Sequence, residues 1–184
     1  MPSHSIRRVC RQIDWLRIRL LYRKAFPASE RKPFGMIRRM HRAGRTDVWV
    51  LEEEGRFAGF ATTINGDGLI LLDYLAISPK YRGQGTGRAT LAAMMAQYAG
   101  KGLFVEIESA FEPGAEQSER LRRRQFYLSC GMVPFEVMAM VFGVKMELLG
   151  CGCRLSFAEY QNFYRTHYNP WAAQHLSEEP YPKK

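Results

Sequence analysis

The sequence predicts an α/β fold built on a mixed sheet that is opened in the middle. Apolar runs of strand length alternate with segments of helical periodicity, and one such run, residues 69–77, passes through a glycine-rich turn into a helix. The chain has 184 residues, of which 46% are hydrophobic, and this suffices for one domain with a complete core. We therefore expect a single domain over residues 1–184, with core motifs in residues 47–142 and a flexible tail over residues 172–184.

The first quarter of the chain predicts a short strand and two amphipathic helices. The strand is expected over residues 6–11. Asp14 suits the cap of the first helix, and Pro33 suits the first turn of the second. In both helices apolar residues recur at three- and four-residue spacing, so each helix is expected to bury one face.

The remaining sequence predicts the other strands and helices in order. A hairpin around Glu54 and Gly55 is expected to join two strands, and a separate turn at residues 65–68 leads into strand 69–77. The elements expected after it are a helix following the glycine-rich turn, a strand at 103–108, a helix at 116–130, strands at 137–142 and 145–149, and a last helix that starts at Ser156.

Positive charge is concentrated near the N-terminus. Residues 1–46 hold thirteen Lys and Arg and two acids, a balance of +11, whereas the remaining residues hold fourteen bases and sixteen acids. An excess of this kind attracts nucleic acid in general, but the sequence has no basic stripe interleaved with aromatic residues. Nucleic acid is therefore a possible partner that no motif supports.

The cysteines and the apolar segments restrict the class of protein. Cys10, Cys130, Cys151 and Cys153 show no zinc-finger spacing and no disulfide framework, so we expect reduced thiols and no metal. The longest apolar stretch, residues 137–144, has the length of a strand rather than of a membrane span. These features predict a cytoplasmic protein with no membrane partner.

The glycine-rich turn carries the strongest functional signal. It consists of Arg82, Gly83, Gln84, Gly85, Thr86 and Gly87. Three glycines leave backbone N–H groups accessible, and the helix that follows adds the positive end of its dipole, so the turn is suited to bind phosphate. The turn lacks the Gly-Lys-Ser/Thr ending of a P-loop and the glycine spacing of a dinucleotide fingerprint.

This segment resembles the coenzyme A pyrophosphate loop of the GNAT acyltransferases, written Arg/Gln-x-x-Gly-x-Gly/Ala. Arg82, Gly85 and Gly87 occupy the three defining positions, and residues 125–132, Gln-Phe-Tyr-Leu-Ser-Cys-Gly-Met, resemble the family's Phe/Leu-Tyr-x-x-x-Gly-Phe helix end. The resemblance covers residues 47–142 well. It implies the GNAT fold, a mixed and mostly antiparallel sheet that is splayed in the middle, with helices on both faces.

The resemblance implies acetyl-CoA as acyl donor and no metal. In the family, backbone groups on the strand before the loop bond the pantetheine amides, and the loop binds the pyrophosphate. The residues at those positions here are Leu75, Ala76, Ile77, Arg82, Gly83, Gln84, Gly85, Thr86, Gly87 and Arg88. The implied activity is N-acetyl transfer to a primary amine by direct attack; the alternative is a GNAT-fold module that binds coenzyme A or nucleic acid without catalysis.

Catalytic roles follow from the same resemblance. Tyr127 matches the tyrosine that protonates the thiolate in many members, although it is alternatively one more aromatic residue between helix and sheet. Glu108 is the first candidate for the base and Asp73 the second, because carboxylates on these strands often receive the amine proton. Strand alternation places Glu106 on the same face as Glu108, where it is expected to contact the substrate, unless both only pair with nearby arginines.

The resemblance leaves the acceptor open. In the family the first two helices form a wall of the acceptor site, so the basic N-terminus suggests an acidic acceptor or an amine on a polyanion, and Glu30 lies in a possible substrate loop between them. Small molecules, peptides and aminoacyl groups are all candidate acceptors, and monomer and homodimer both stay open. Arg120 and Arg123 depart from the Asn and Ala that the family often has, so they either reach the 3′-phosphate of the coenzyme or form a solvated face.

Overall fold

The computed structural model describes residues 3–182, and the chain packs as two compact units. The first unit holds the chain up to Asn65 together with Leu72–Gln97, and the second holds Gly66–Leu71 together with the chain from Tyr98 onward. The expectation of one domain over residues 1–184 stays a prediction.

The first unit contains most of the predicted N-terminal elements. They are β1 (His4–Arg8), α1 (Gln12–Ala25), α2 (Phe34–Arg42), β2 (Thr46–Glu53), β3 (Arg56–Asn65), most of β4 (Leu69–Ile77) and α3 (Thr86–Gln97). The strand order is β1-β2-β3-β4, and the β1–β2 and β2–β3 pairs are antiparallel.

Helices cover both faces of this part of the sheet. Ile18 and Tyr22 of α1 and Ile37 of α2 pack in one core with Val48 and Phe60. On the opposite face, Ile6 and Leu51 lie next to Ala89 and Ala93 of α3. The amphipathic pattern of each helix therefore buries one apolar face against the sheet.

The second unit contains the start of β4 and the C-terminal elements. They are β5 (Gly102–Glu108), α4 (Gln117–Ser129), β6 (Val133–Val141), β7 (Val144–Cys151), α5 (Phe157–Phe163), α6 (Pro170–Ala173) and β8 (Leu176–Glu179). The strand order is β4-β5-β7-β6-β8. Only the β4–β5 pair is parallel among the strand pairs described, and it joins Leu69–Leu71 to residues 102–104. The sheet is thus mixed and mostly antiparallel, as predicted.

The C-terminal tail differs from the prediction that residues 172–184 are flexible. Leu176 is buried, and β8 pairs antiparallel with β6, with Leu176 opposite Val141 and Glu179 opposite Met138. The Tyr181 hydroxyl donates a hydrogen bond of 2.7 Å to Oε1 of Glu147. The tail lacks an apolar pattern but supplies the outermost strand, whose backbone pairing does not depend on such a pattern. Residues 183–184 lie outside the described part of the chain.

Because of Asp14, the first unit is expected to lose stability at acid pH. It is buried, and it accepts bonds of 2.8 and 2.9 Å from Arg7 and one from the Arg11 backbone. The Arg7 hydrogen bonds outweigh burial and lower the pKa of Asp14 to about 2. A lowered pKa adds stability that is complete above the unfolded-state pKa and is lost as the pH falls through the folded-state value.

We expect the stability of the unsubstituted protein to fall more steeply than that of Asp14→Asn between pH 4 and pH 2. The difference in unfolding free energy between the two proteins should narrow by about 2 kcal/mol across this window. Urea unfolding at several pH values measures it. Parallel pH dependences for the two proteins would contradict the assignment.

Candidate active site

The glycine-rich turn presents an accessible row of backbone amides at the start of α3. Gly83 and Gly85 have φ of +74° and +84°, a left-handed conformation that glycine adopts without strain. Within residues 3–182, the amides of Gly83, Gln84, Gly85, Thr86 and Gly87 donate to no acceptor. Successive unpartnered amides at a helix N-terminus form an anion-binding site.

Side chains of the turn brace its backbone. Arg82 Nε donates to the Ile77 carbonyl oxygen at 3.0 Å, and Gln84 Nε2 donates to that of Lys80 at 2.8 Å. Thr86 is buried, and its hydroxyl donates to Glu53 of β2 at 3.1 Å. Thr86 therefore offers a ligand its backbone amide and not its side chain.

The strand before the turn is fixed by a close approach to β3. A Cβ added at Gly59 would collide with the Ala76 carbonyl oxygen, so only glycine allows this spacing. The Ser78 amide donates to the Ala58 carbonyl oxygen at 2.8 Å. Leu75 and Ile77 are half-buried on either side of buried Ala76, and their backbone is the predicted contact for pantetheine.

Asp73, the second candidate for the base, is engaged in an ion pair. Lys32 Nζ lies 2.7 Å from both carboxylate oxygens, and the two side chains are 13% and 14% exposed. A carboxylate that already binds an ammonium group at both oxygens is poorly suited to accept a proton from another amine. Asp73 therefore binds Lys32, which lies in the loop between α1 and α2.

Tyr74 holds the same loop. Its hydroxyl donates to the Glu30 carbonyl oxygen at 2.8 Å and accepts from the Lys32 amide at 3.3 Å. Burial, the largest cause, and the nearby Asp73 charge raise the pKa of Tyr74, so its hydroxyl stays protonated. The Glu30 side chain is exposed, as a substrate-contacting group would be. The Glu30 carbonyl oxygen, which accepts the Tyr74 hydrogen bond, holds the loop in place.

The glutamates of β5 lie in the second unit and have different surroundings. Glu106 accepts a hydrogen bond of 2.8 Å from the Tyr164 hydroxyl. Glu108 lies 3.8 Å from Arg120 Nη1, with 18% of its side chain exposed. The prediction that both share one face is consistent with their half-buried state between buried neighbours.

Glu108 lines a cavity of about 350 Å³ in the second unit. Glu112, Arg120, Lys145 and Glu179 also line it, and Lys145 Nζ lies 2.9 Å from Glu112. The volume is within the range of small-molecule sites. Arg120 is held by Glu108 and by the Glu112 carbonyl oxygen, and Arg123 pairs with Glu119 at 3.9 Å on the helix surface.

Tyr127 lies in the last two turns of α4 and is half-buried. Desolvation, opposed by the charge of Arg123, raises the pKa of its phenol to about 12. Among the described residues no group bonds the Tyr127 hydroxyl. The phenol is therefore protonated at neutral pH and has an unused donor.

The described residues carry no metal centre and no membrane span. Nowhere in residues 3–182 do three or more His, Cys, Asp or Glu side chains gather in a way that could hold a metal ion. No helix in that range combines the length and the apolar character needed to cross a bilayer.

The mixed α/β fold carries the amide-lined turn between β4 and α3. Residues 44–133 match a family model described as the acetyltransferase (GNAT) domain. This match places a GNAT acetyltransferase domain in residues 44–133. No curated protein sequence matches it.

Solved structures share this fold at low sequence identity. A protein from Bacteroides thetaiotaomicron assigned to the GNAT family is 18% identical, with a TM-score of 0.75 over 89% of this chain and 98% of that one. A Salmonella typhimurium protein assigned as an acetyltransferase, solved with its cofactor acetyl-CoA, is 19% identical, with a TM-score of 0.58 over 85% and 97%. The ribosomal-protein-S18-alanine N-acetyltransferase from Escherichia coli is 18% identical, with a TM-score of 0.56 over 84% and 96%.

Proposed function

We propose that this protein transfers an acetyl group from acetyl-CoA to a primary amine by direct attack in a ternary complex. The observation that carries the proposal is the row of five unpartnered amides, Gly83 to Gly87, at the N-terminus of α3. A similar fold binds acetyl-CoA in the protein from Salmonella typhimurium, which supports the choice of donor.

The donor site consists of backbone groups and two basic side chains. The five amides bind the pyrophosphate oxygens, and the dipole of α3 adds favourable charge. Arg82 and Arg88 are exposed beside them and offset the negative charge of the pyrophosphate. The backbone of Leu75, Ala76 and Ile77 bonds the pantetheine amides.

Glu108 is the proposed base. Acetyl-CoA supplies the acetyl group as a thioester, so the amine nitrogen forms a bond to the carbonyl carbon, the carbon–sulfur bond breaks, and a thiolate leaves. A primary amine with a pKa of about 10.4 is protonated at neutral pH and must lose a proton before it attacks. Glu108 accepts that proton, because it borders a cavity and its nearest cation is 3.8 Å away, whereas Asp73 is bonded to Lys32 at 2.7 Å. After the attack the nitrogen loses a second proton to solvent as the amide forms.

Tyr127 is the proposed donor to the departing sulfur. Its pKa of about 12 lies above the value of about 8.5 for a thiol, so complete transfer of its proton is uphill. We infer that Tyr127 stabilises the developing thiolate by a hydrogen bond, and that solvent supplies the proton afterwards.

Replacing Tyr127 by phenylalanine is expected to lower kcat by about 100-fold, because a positioned donor contributes roughly this much. The KM for acetyl-CoA should stay within about twofold, since the amides that bind the pyrophosphate are unchanged. A phenol with a raised pKa of about 12 stays protonated at lower pH, so the ratio of the two kcat values should be constant from about pH 7 to about pH 10. An unchanged kcat across this range would remove Tyr127 from the mechanism.

A thiol-release assay tests the proposed function directly. The protein is incubated with acetyl-CoA and with simple amines, polyamines, amino acids, peptides or charged tRNA, and mass spectrometry identifies the acetylated product. We expect release that depends on one class of amine. Binding of acetyl-CoA without release in any arm would instead favour the non-catalytic module.

A further inference from the structure

Glu106 lies against a cluster of three tyrosines from the C-terminal part of the second unit. The tyrosine cluster consists of Tyr160, Tyr164 and Tyr168. Their neighbouring rings are 5.0 and 4.5 Å apart, and Tyr160 and Tyr164 are buried. The Tyr164 hydroxyl donates a hydrogen bond of 2.8 Å to Oε2 of Glu106.

The local backbone brings this hydroxyl to β5. Phe163 packs edge to face on Phe104, two residues before Glu106 on the same side of the strand, with ring centroids 5.1 Å apart. At Tyr164 the α-helical α5 changes into a π-helical turn, Tyr164–Tyr168. Such turns are uncommon and occur frequently at functional sites.

In the hydrogen bond between Tyr164 and Glu106, the donor and acceptor roles are fixed. Burial and the nearby Glu106 charge raise the pKa of Tyr164, so the tyrosine remains the donor and the carboxylate the acceptor. A hydrogen bond to a charged acceptor is stronger than one between neutral groups, and it limits the rotation of the glutamate side chain. Glu106 is consequently held in one orientation.

We propose that Tyr164 is a positioning residue that fixes the Glu106 carboxylate to bind the ammonium form of the acceptor amine. The inference rests on the proposed acetyl transfer and assigns part of the acceptor specificity to the C-terminal segment, outside the matched residues 44–133.

The test is a comparison of steady-state kinetics for Tyr164→Phe and the unsubstituted protein. The phenylalanine keeps the buried ring and removes the hydroxyl alone. We expect the KM for the acceptor amine to rise about tenfold, with kcat and the KM for acetyl-CoA within about twofold, because the lost interaction serves acceptor binding. Tyr181→Phe is the matched control, since it removes a hydroxyl bonded at 2.7 Å to a different glutamate, Glu147, and it should leave the KM for the acceptor unchanged.

A double-mutant cycle with Glu106→Gln separates positioning from a general effect on folding. If Tyr164 acts through Glu106, the KM of the double variant should match that of Glu106→Gln alone. Additive effects, or an unchanged acceptor KM in Tyr164→Phe, would overturn the inference while acetyl transfer by the unsubstituted protein still stands. Failure of the unsubstituted protein to acetylate any amine would overturn the proposed function, and the inference with it.

Discussion

Replacing Gly85 by valine is expected to weaken the binding of acetyl-CoA by at least about 30-fold, which corresponds to about 2 kcal/mol. Gly85 has a φ of +84°, a conformation that a β-branched residue adopts only with strain, and relief of this strain displaces the backbone amides of the turn. Each charge-assisted hydrogen bond lost from the pyrophosphate adds to the effect. Isothermal titration calorimetry with acetyl-CoA measures the change.

Gly100→Val is the matched control. Gly100 has a φ of +83°, and a Cβ added at either Gly100 or Gly85 would meet no atom within 4 Å, so the two substitutions carry similar strain. Gly100 lies in the turn between α3 and β5, outside the glycine-rich turn. Both variants should lose similar thermal stability, but only Gly85→Val should lose affinity. Equal affinity in the two variants would count against the donor site.

Replacing Glu147 by alanine should produce the largest loss of stability, about 3–5 kcal/mol. The Glu147 side chain is fully buried, accepts bonds of 2.8 and 3.1 Å from Arg124, and accepts a third from Tyr181. Removal of the Glu147 carboxylate leaves the charged Arg124 guanidinium, which is largely shielded from water, without its ion-pair partner. The thermal midpoint should fall by about 6–20 °C for a chain of this size, as differential scanning calorimetry can measure.

Glu178→Ala separates this effect from the general loss of a glutamate. Glu178 is exposed on β8, so its removal should shift the midpoint by no more than about 2 °C. A midpoint for Glu147→Ala that lies within this range would show that the buried pair contributes no net stability, as happens for some buried ion pairs.

Periodicity and turn chemistry predict most of the fold because these signals are local. The hairpin at Glu54 and Gly55, strand 69–77 and the helix after the glycine-rich turn are all present. Strand β6 begins at Val133, four residues before the predicted start, because backbone pairing with β7 continues past the apolar run. Strand β8 could not be predicted for the same reason, because backbone pairing with a neighbouring strand does not require an apolar sequence pattern.

Ion pairs between distant residues could not be predicted. The sequence offers Glu108 as the first candidate for the base and Asp73 as the second, and only tertiary structure shows that Lys32 binds Asp73 from 41 positions away. Tyr164 lies 58 positions from Glu106. The sequence predicts a last helix that starts at Ser156 and includes Tyr164, but it carries no information about the carboxylate that the Tyr164 hydroxyl bonds.

The basic N-terminal quarter is partly neutralised within the first unit. Arg7 binds Asp14 and Glu52, and Arg8 lies 3.0 Å from Asp47. These contacts support the interpretation that part of the charge excess is structural. Arg39 and Arg42, in contrast, are exposed, as the hypothesis of an acidic acceptor requires.

The central claim is that the amides of Gly83 to Gly87 bind the pyrophosphate of acetyl-CoA. An NMR titration of ¹⁵N-labelled protein tests it, with acetyl-CoA in one arm and S-acetylpantetheine, which lacks the pyrophosphate, in the other. We expect these five amide signals to shift strongly with acetyl-CoA and only weakly with S-acetylpantetheine. Equal shifts in both arms, or acetyl-CoA binding that leaves the five signals in place, would contradict the claim.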